Sequence, residues 1–446
     1  MNHLCRTMAA TLVAAVIIGS LFSAAAIAAP NPPVELSLDE AIQRALLNNP
    51  AVTMSAADRE AAIGALKSAR AGFGPTVSLN HADTYFWAAN PSVSILDSTK
   101  RLDRFTADNY ISANWMLFSG FKVEGQVAQA KWGVDSANWG VTKTDQELRL
   151  STTTAYYGIL QAQKLVQLNL ESVDQLDQHL KDAQLQFDVG VVAKTDVLRS
   201  EVEMANAVQN LTKAQNAYDL AMTTLDTVIG LPLITVVVPK ENLKYEPYGS
   251  SVSECISTAM KLRPETFQGT DSVKIAEAGV TVARSGNLPT VTTAYRADWN
   301  DAAFPGITNT NQNWSIGIAA NWTIFDSGLT SGNLKQANAG VTKAKAQLKQ
   351  TSDNIRMEVQ SFYLNLREAE KRIETSKVAV DKAQEDFKIS QMRYSAGVGT
   401  NIDVLDAHVA LTQANNNFAQ ALYDYNTSKA SLESSMGLPV NEVKGK

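Results

Sequence analysis

The chain has 446 residues, with 39 Lys plus Arg against 45 Asp plus Glu, a net charge of −6 and a pI near 5.4. No basic excess is available to neutralise phosphates, which excludes a nucleic-acid binder built on backbone contacts. Four histidines (His3, His81, His179, His408) and two cysteines (Cys5, Cys255) are too scattered for a metal site of ordinary ligand spacing or for a disulfide framework.

Residues 1–28 carry Arg6, an apolar run from Leu12 to Ile18 and the small-x-small site Ala26-Ile27-Ala28, followed by Pro30. This is the pattern of a cleaved secretory signal peptide, with a retained anchor as the alternative that its small residues disfavour. No other stretch approaches 18 consecutive apolar residues, so membrane-crossing helices are not expected. Cys5 falls inside the leader, which leaves Cys255 alone in the exported chain.

From residue 29 the chain is written twice, as a first repeat to 233 and a second from 253 to 440, with a linker at 234–252 and a tail at 441–446. Ala41-Ile42, Ala45-Leu46 and Pro50 recur 214 residues later as Cys255-Ile256, Ala259-Met260 and Pro264. Trp115 and Phe118 recur at an offset of 207 as Trp322 and Phe325, and so do Gly190 as Gly397 and Gly230-Leu231-Pro232 as Gly437-Leu438-Pro439. The offset change puts seven extra residues between Val77 and Trp115, as a loop would.

Each repeat reads as two helices, two strands, a very long helix and a long helix. Strands are expected at about 76–87, 106–118, 290–299 and 313–325. In the last of these Trp314, Ile316, Ile318, Ala320, Trp322 and Ile324 alternate with polar Asn313, Ser315, Asn321 and Thr323. The first is less regular, because His81 and Asp83 share a face with Val77 and Leu79. Long helices are expected at about 122–189, 194–229, 328–396 and 400–436. Thr152, Ile159, Val166, Val173, Leu180 and Phe187 repeat every seven residues, as do Val359, Leu366, Ile373, Val380, Phe387 and Tyr394. That is a coiled-coil seam. A helix over 122–189 is about 100 Å long, too long for a compact domain.

Strands of ten residues or more are long enough to cross a bilayer when tilted, but four cannot close a barrel, for which about eight is the minimum. Closure therefore calls for several copies, and three supply twelve strands under cyclic symmetry. Trp87, Trp115, Trp299, Trp314 and Trp322 suit interfacial aromatic girdles.

On these features the chain resembles the TolC-type outer-membrane efflux channels. The resemblance rests on Leu38-Asp-Glu-Ala-Ile42 with Pro50, Ala69-Arg70 ahead of Pro75, Leu117-Phe118, Phe187 to Leu198, Tyr394 to Asp406 and the terminal Gly437-Leu-Pro439. It implies a mainly helical fold with membrane β structure, in which a trimeric 12-stranded β-barrel with four strands per chain continues into a long periplasmic α-helical barrel. A mixed belt built partly from residues near 231–252 and the carboxy terminus would surround the middle. It further implies partners: a periplasmic adaptor, an inner-membrane transporter and outer-membrane lipid.

No Ser-His-Asp set, phosphate loop or paired-carboxylate cleft is evident, so no catalytic residue, metal or cofactor is expected. Asp403 and Asp406, one turn apart, suit a first helical turn as dipole partners and caps. The resemblance implies instead that they line the periplasmic entrance as pore-selecting acidic rings. It also implies a gate formed by Thr195, Asp196 and Tyr394, in which Tyr394 donates a hydrogen bond to Asp196; without it, Tyr394 simply continues the seam. Gly399 stands where many of these channels carry an arginine, so the closed state is expected to be either weaker here or held differently, by Lys194 or Arg199. The tip residues Gly190, Val191, Gly397 and Val398 are implied adaptor contacts and are also turns that need glycine. The function so implied is a passive exit duct for small molecules or secreted proteins. The alternative is a coiled-coil envelope spacer or adhesin without a conducting lumen.

Overall fold

The computed structural model describes residues 34–89, 101–233, 235–304 and 307–439. The expected leader at 1–28, part of the expected loop at 90–100 and the tail at 441–446 lie outside them.

Strand β1 (Val34–Leu36) leads into α1 (Leu38–Asn48), which starts where Ser37 and Glu40 form a reciprocal cap. Pro50 opens α2 (Pro50–Ala71), its missing N–H harmless in a first turn. Strands β2 (Thr76–Ala89) and β3 (Arg101–Phe118) precede α3 (Lys122–Asp188) and α4 (Lys194–Ile229). After β4 (Val237–Pro239) the same order returns: α5 (Val252–Leu262), capped by Ser251 and Glu254, α6 (Pro264–Arg284), β5 (Thr290–Phe304), β6 (Ile307–Asn321), α7 (Leu329–Ser395) and α8 (Asn401–Ser435). Helices α3 and α7 have 67 residues each, about 100 Å of helix.

Strands β2, β3, β5 and β6 form one antiparallel sheet in that order. Val77, Ala113, Tyr295 and Ile316 are paired across it, as are Leu79, Ile111, Ala297 and Trp314. They share one face with Trp115 and Ile318. The opposite face carries Ser78, Ser112, Arg296 and Ser315. No described residue covers the apolar face: Val77 is 70% exposed and Ile318 73%. The band ends at the row His81, Asn109, Trp299 and Gln312, where His81 and Asn109 bond to each other at 2.6 Å. This row accounts for the irregular first strand: His81 and then Asp83 interrupt the face before Tyr85 pairs with Phe105, while the ladder continues.

That continuation corrects the strand ends. β5 runs on to Phe304 and β6 starts at Ile307, because hydrogen-bonded pairing outlasts the apolar alternation. At its other end β6 stops at Asn321, not Phe325. Asp326 there accepts the N–H groups of Gly328 and Thr330 and turns the chain into α7. Trp115 and Trp322, at matching corners, donate their indole N–H groups to Phe73 O and Asn287 O. Trp299 and Trp314 lie on the apolar face, and the side chain of Trp87 is outside the described residues.

Near the sheet the helices lie side by side in the order α2, α3, α6, α7; farther away the order is α4, α3, α8, α7. Two main cores sit between these layers. One packs Leu36 and Ala45 on Tyr156, Ile159 and Leu225; the other packs Cys255 and Ala259 on Val359, Leu366 and Tyr425. Full burial of a side chain such as Leu366 is worth about 1.5–3 kcal/mol. The linker is more structured than its sequence suggests, because β4 pairs in parallel with β1. No described helix is long and apolar enough to cross a membrane.

Candidate functional site

The far ends of the long helices form two tips. α3 ends with Gly190 in the left-handed conformation (φ 80°) and Val191 N–H donating to Gln186 O at 2.8 Å. α7 ends alike, with Gly397 at φ 73° and Val398 N–H donating to Arg393 O at 2.9 Å. Such a return satisfies helix-terminal carbonyls and favours a residue without a Cβ. Val191 and Val398 are consequently held out into solvent.

The helices that leave the tips start differently. α4 begins after Ala193 with no side-chain cap. α8 begins with a full cap: Asp403 N–H donates to Thr400 Oγ1 at 3.2 Å, and Thr400 N–H donates to Asp403 Oδ2 at 3.1 Å. The Thr400 N–H and hydroxyl hold the Asp403 carboxyl below the usual carboxylate range, with Arg393 adding to the effect. Asp403 and Asp406 are both exposed. Asp406 borders a groove of about 570 Å³ with Thr195, Leu198, Arg199, Val202 and Ile402.

Between the two hairpins lies a buried seam. Tyr394, 3% exposed, packs with Phe387, Val404 and Leu411 and meets the His179 ring at 5.0 Å. Its hydroxyl has no hydrogen-bond partner. The expected bond to Asp196 is therefore not made. Asp196 engages the seam through its main-chain oxygen, which accepts from Asn401 Nδ2 and from Ser200 Oγ, both at 3.0 Å. Burial, with the charges of Asp196 and Asp182 behind it, pushes the Tyr394 phenol up.

Asn401 is the junction that sequence reasoning missed. Its Oδ1 accepts from Ser200 Oγ at 3.2 Å and faces His179 Nε2 at 2.5 Å. Two turns along the seam His408 Nε2 lies 3.2 Å from Ser172 Oγ and edge-on to Phe387. Burial lowers both imidazole pKa values, that of His408 to about 4 with the proximity of His179 adding to the shift. The available signal was position: Ser172, Leu176, His179 and Ala183 share a 4-3-4 stripe, as do Val404, His408 and Leu411 at 4 and 3. A polar residue inside an apolar stripe needs a partner.

Gly399 lies tight against α7: a Cβ there would come within 3.0 Å of Arg393 Cβ and Tyr394 N. The expected substitutes for the missing arginine do not make an ion pair. Neither Lys194 nor Arg199 lies within 4.0 Å of a carboxylate among the described residues, and the basic group nearest in effect to Asp403 is Arg393.

The outer membrane efflux protein family matches residues 41–231 and 256–438. The chain belongs to that family. It is 26% identical over 420 residues to the outer membrane protein TolC of Escherichia coli K12, covering 90% of this chain and 82% of that one. It is 27% identical over 294 residues to the alkaline protease secretion protein AprF of Pseudomonas aeruginosa, covering 64% and 60%. Its fold matches the outer membrane protein VceC of Vibrio cholerae with a TM-score of 0.74 at 18% identity, over 90% of this chain and 96% of that one. This outer membrane efflux protein is thus an outer-membrane channel whose helical body extends into the periplasm.

Proposed function

We propose that this efflux protein forms, as a homotrimer, a passive exit duct for small molecules or secreted proteins, gated at the tips of its long helices. The observation that carries the reading is the sheet, apolar on one face and polar on the other, open at β2 and β6 and continuous with helices about 100 Å long. The helical layer is open in the same way: α2, at one edge, has no buried residue. Three copies joined edge to edge give twelve strands, enough to close a barrel with its apolar face toward lipid and its polar face toward a lumen.

In that assembly Asp403 and Asp406 recur three times around the entrance and favour cations there. Thr195, Asp196, Tyr394 and Gly399 belong to the gate. Gly190, Val191, Gly397 and Val398 present the surface that a periplasmic adaptor grips, and an inner-membrane transporter supplies the energy. A spacer without a lumen has no use for the polar sheet face. Conductance of the purified protein across a planar bilayer tests the reading. Discrete, cation-preferring channels from a detergent-stable trimer are expected; a water-soluble monomer, or a trimer that conducts nothing with its gate mutated, overturns it.

A further inference from the structure

A second feature lies far from the tips, on the wall of the helical body. Trp132, Asp135 and Trp139 of α3 face Phe267, Asp271 and Lys274 of α6 across a cleft of about 350 Å³, at the small end of ligand-pocket sizes. Trp139 and Phe267 stack with centroids 4.2 Å apart and planes 13° from parallel, forming one flat wall. Trp132 forms another. Lys274 Nζ sits 3.7 Å from its ring centroid.

The floor carries the unusual group. Asp271 has a side chain only 7% exposed; Oδ1 reaches Lys274 Nζ at 4.0 Å and Oδ2 has no partner. A buried carboxylate oxygen left without a donor is costly and rarely retained without a use. Burial, together with the charge of Asp135 and against the pull of Lys274, raises the Asp271 pKa. The cleft thus combines two aromatic walls, a half-satisfied carboxylate and a second carboxylate, the elements that hold an ammonium group.

Its place in the fold leaves it open. Trp132, Asp135, Trp139, Gln146 and Arg149 follow one another at spacings of 3, 4, 7 and 3 along α3, a single stripe. Lower on that stripe Gln146 and Arg149 are covered by the main chain of Gly437 and Pro439. Higher up, the stripe is the cleft. α3 and α6 are the two inner helices of their layer, so copies joined at the α2 and α7 edges leave it uncovered.

We propose that this cleft binds a small organic ammonium ion, which takes the place Lys274 holds on the Trp132 face and supplies the partner that Asp271 Oδ2 lacks. Lys274 is then an internal competitor, tethered by its own helix.

The test is calorimetry on the full chain in neutral detergent, with choline chloride as probe and 3,3-dimethylbutan-1-ol as its uncharged isostere. Choline is expected to bind at least about tenfold more tightly than the isostere, the scale of a desolvated cation–aromatic contact. Lys274→Met keeps length and removes the competing charge, so choline should bind about tenfold more tightly to it; a misfolded chain cannot gain affinity. Asp271→Asn and Trp132→Leu should each weaken binding by about tenfold, with helix content by circular dichroism unchanged. Equal binding of choline and isostere, no gain in Lys274→Met, or full affinity in Asp271→Asn overturns the proposal. None of these readouts depends on conduction, so they stand apart from the fate of the duct reading.

Discussion

His179 Nε2 and Asn401 Oδ1 lie 2.5 Å apart, tying α3 to the first residue of α8 inside the buried seam. The same Asn401 side chain holds Ser200 and the main chain of Asp196 on α4, so one amide joins three helices at the tip. Removing it leaves the buried His179 Nε2 unmatched, at a cost of about 1–3 kcal/mol, and takes one bond each from Ser200 and the Asp196 main chain. Asn401→Ala is expected to lower the unfolding free energy by at least about 2 kcal/mol. Amide hydrogen exchange should quicken around 194–204 and 400–410 while the sheet is unchanged; uniform acceleration along the chain would refute a local junction.

The buried imidazoles make the seam sensitive to acid. The pKa of His408 is near 4 in the folded chain and 6.5 in the unfolded chain, so between these values the unfolded state binds the extra proton. Stability from the neutral form is fully present above about pH 6.5 and is lost as pH falls toward 4, by about 3 kcal/mol in all. His408→Leu should flatten this loss in denaturant melts taken from pH 7.5 to 4.5. A variant that keeps the full acid dependence would place its origin elsewhere.

Asp226 behaves in the opposite sense. It is buried near Thr235 at the end of α4, neither carboxylate oxygen has a partner, and burial raises its pKa from 3.8 to about 6. The folded state here holds the proton more tightly, so this group's stability is present below about pH 3.8 and is lost as pH rises through 6. Asp226→Asn should raise the midpoint of thermal unfolding at pH 7.5, by a few kcal/mol in free energy, and do little at pH 4. An equal effect at both pH values would mean that the carboxylate charge is not the cause.

Tyr394→Phe removes a hydroxyl that has no partner. Channel opening should therefore be unchanged or reduced, and seam stability equal or slightly higher. Larger or more frequent single-channel currents would reveal a hydrogen bond that forms only in the assembled trimer.

For Asp403 two roles separate cleanly. Thr400→Ala removes half of the cap and should cost about 1 kcal/mol without altering ion preference. Asp403→Asn with Asp406→Asn should instead reduce cation preference in planar bilayers, an effect that salt screens. Selectivity that survives the double substitution would leave Asp403 as a cap alone.

Much of the architecture was legible because each signal rests on a period. Heptads such as Val359 to Tyr394 mark α7, and the alternation through Trp314, Ile316 and Ile318 marks β6, since burial on one side enforces the repeat. Where successive residues are all polar, as in 308–312, no period remains and only the hydrogen-bonded ladder shows the strand. The β1–β4 pair was hidden for another reason: three residues pair with three that lie about two hundred positions away. At the tip the positions of Gly190, Gly397 and Tyr394 were readable, but the bonding was not. Whether Asp196 receives Tyr394 or Asn401 depends on distances of an ångström between helices, which spacing along the chain does not encode.

The indole contacts at the two corners bear on how force travels through the molecule. Trp115 and Trp322 each stand at the end of a strand and fasten it to the main chain of the preceding turn, at Phe73 and Asn287. A strand so fastened cannot pivot freely against the helices that follow it. In the proposed duct these two fastened corners form a collar where the sheet meets the long helices, and movement of the tips has to pass through it to reach the strands.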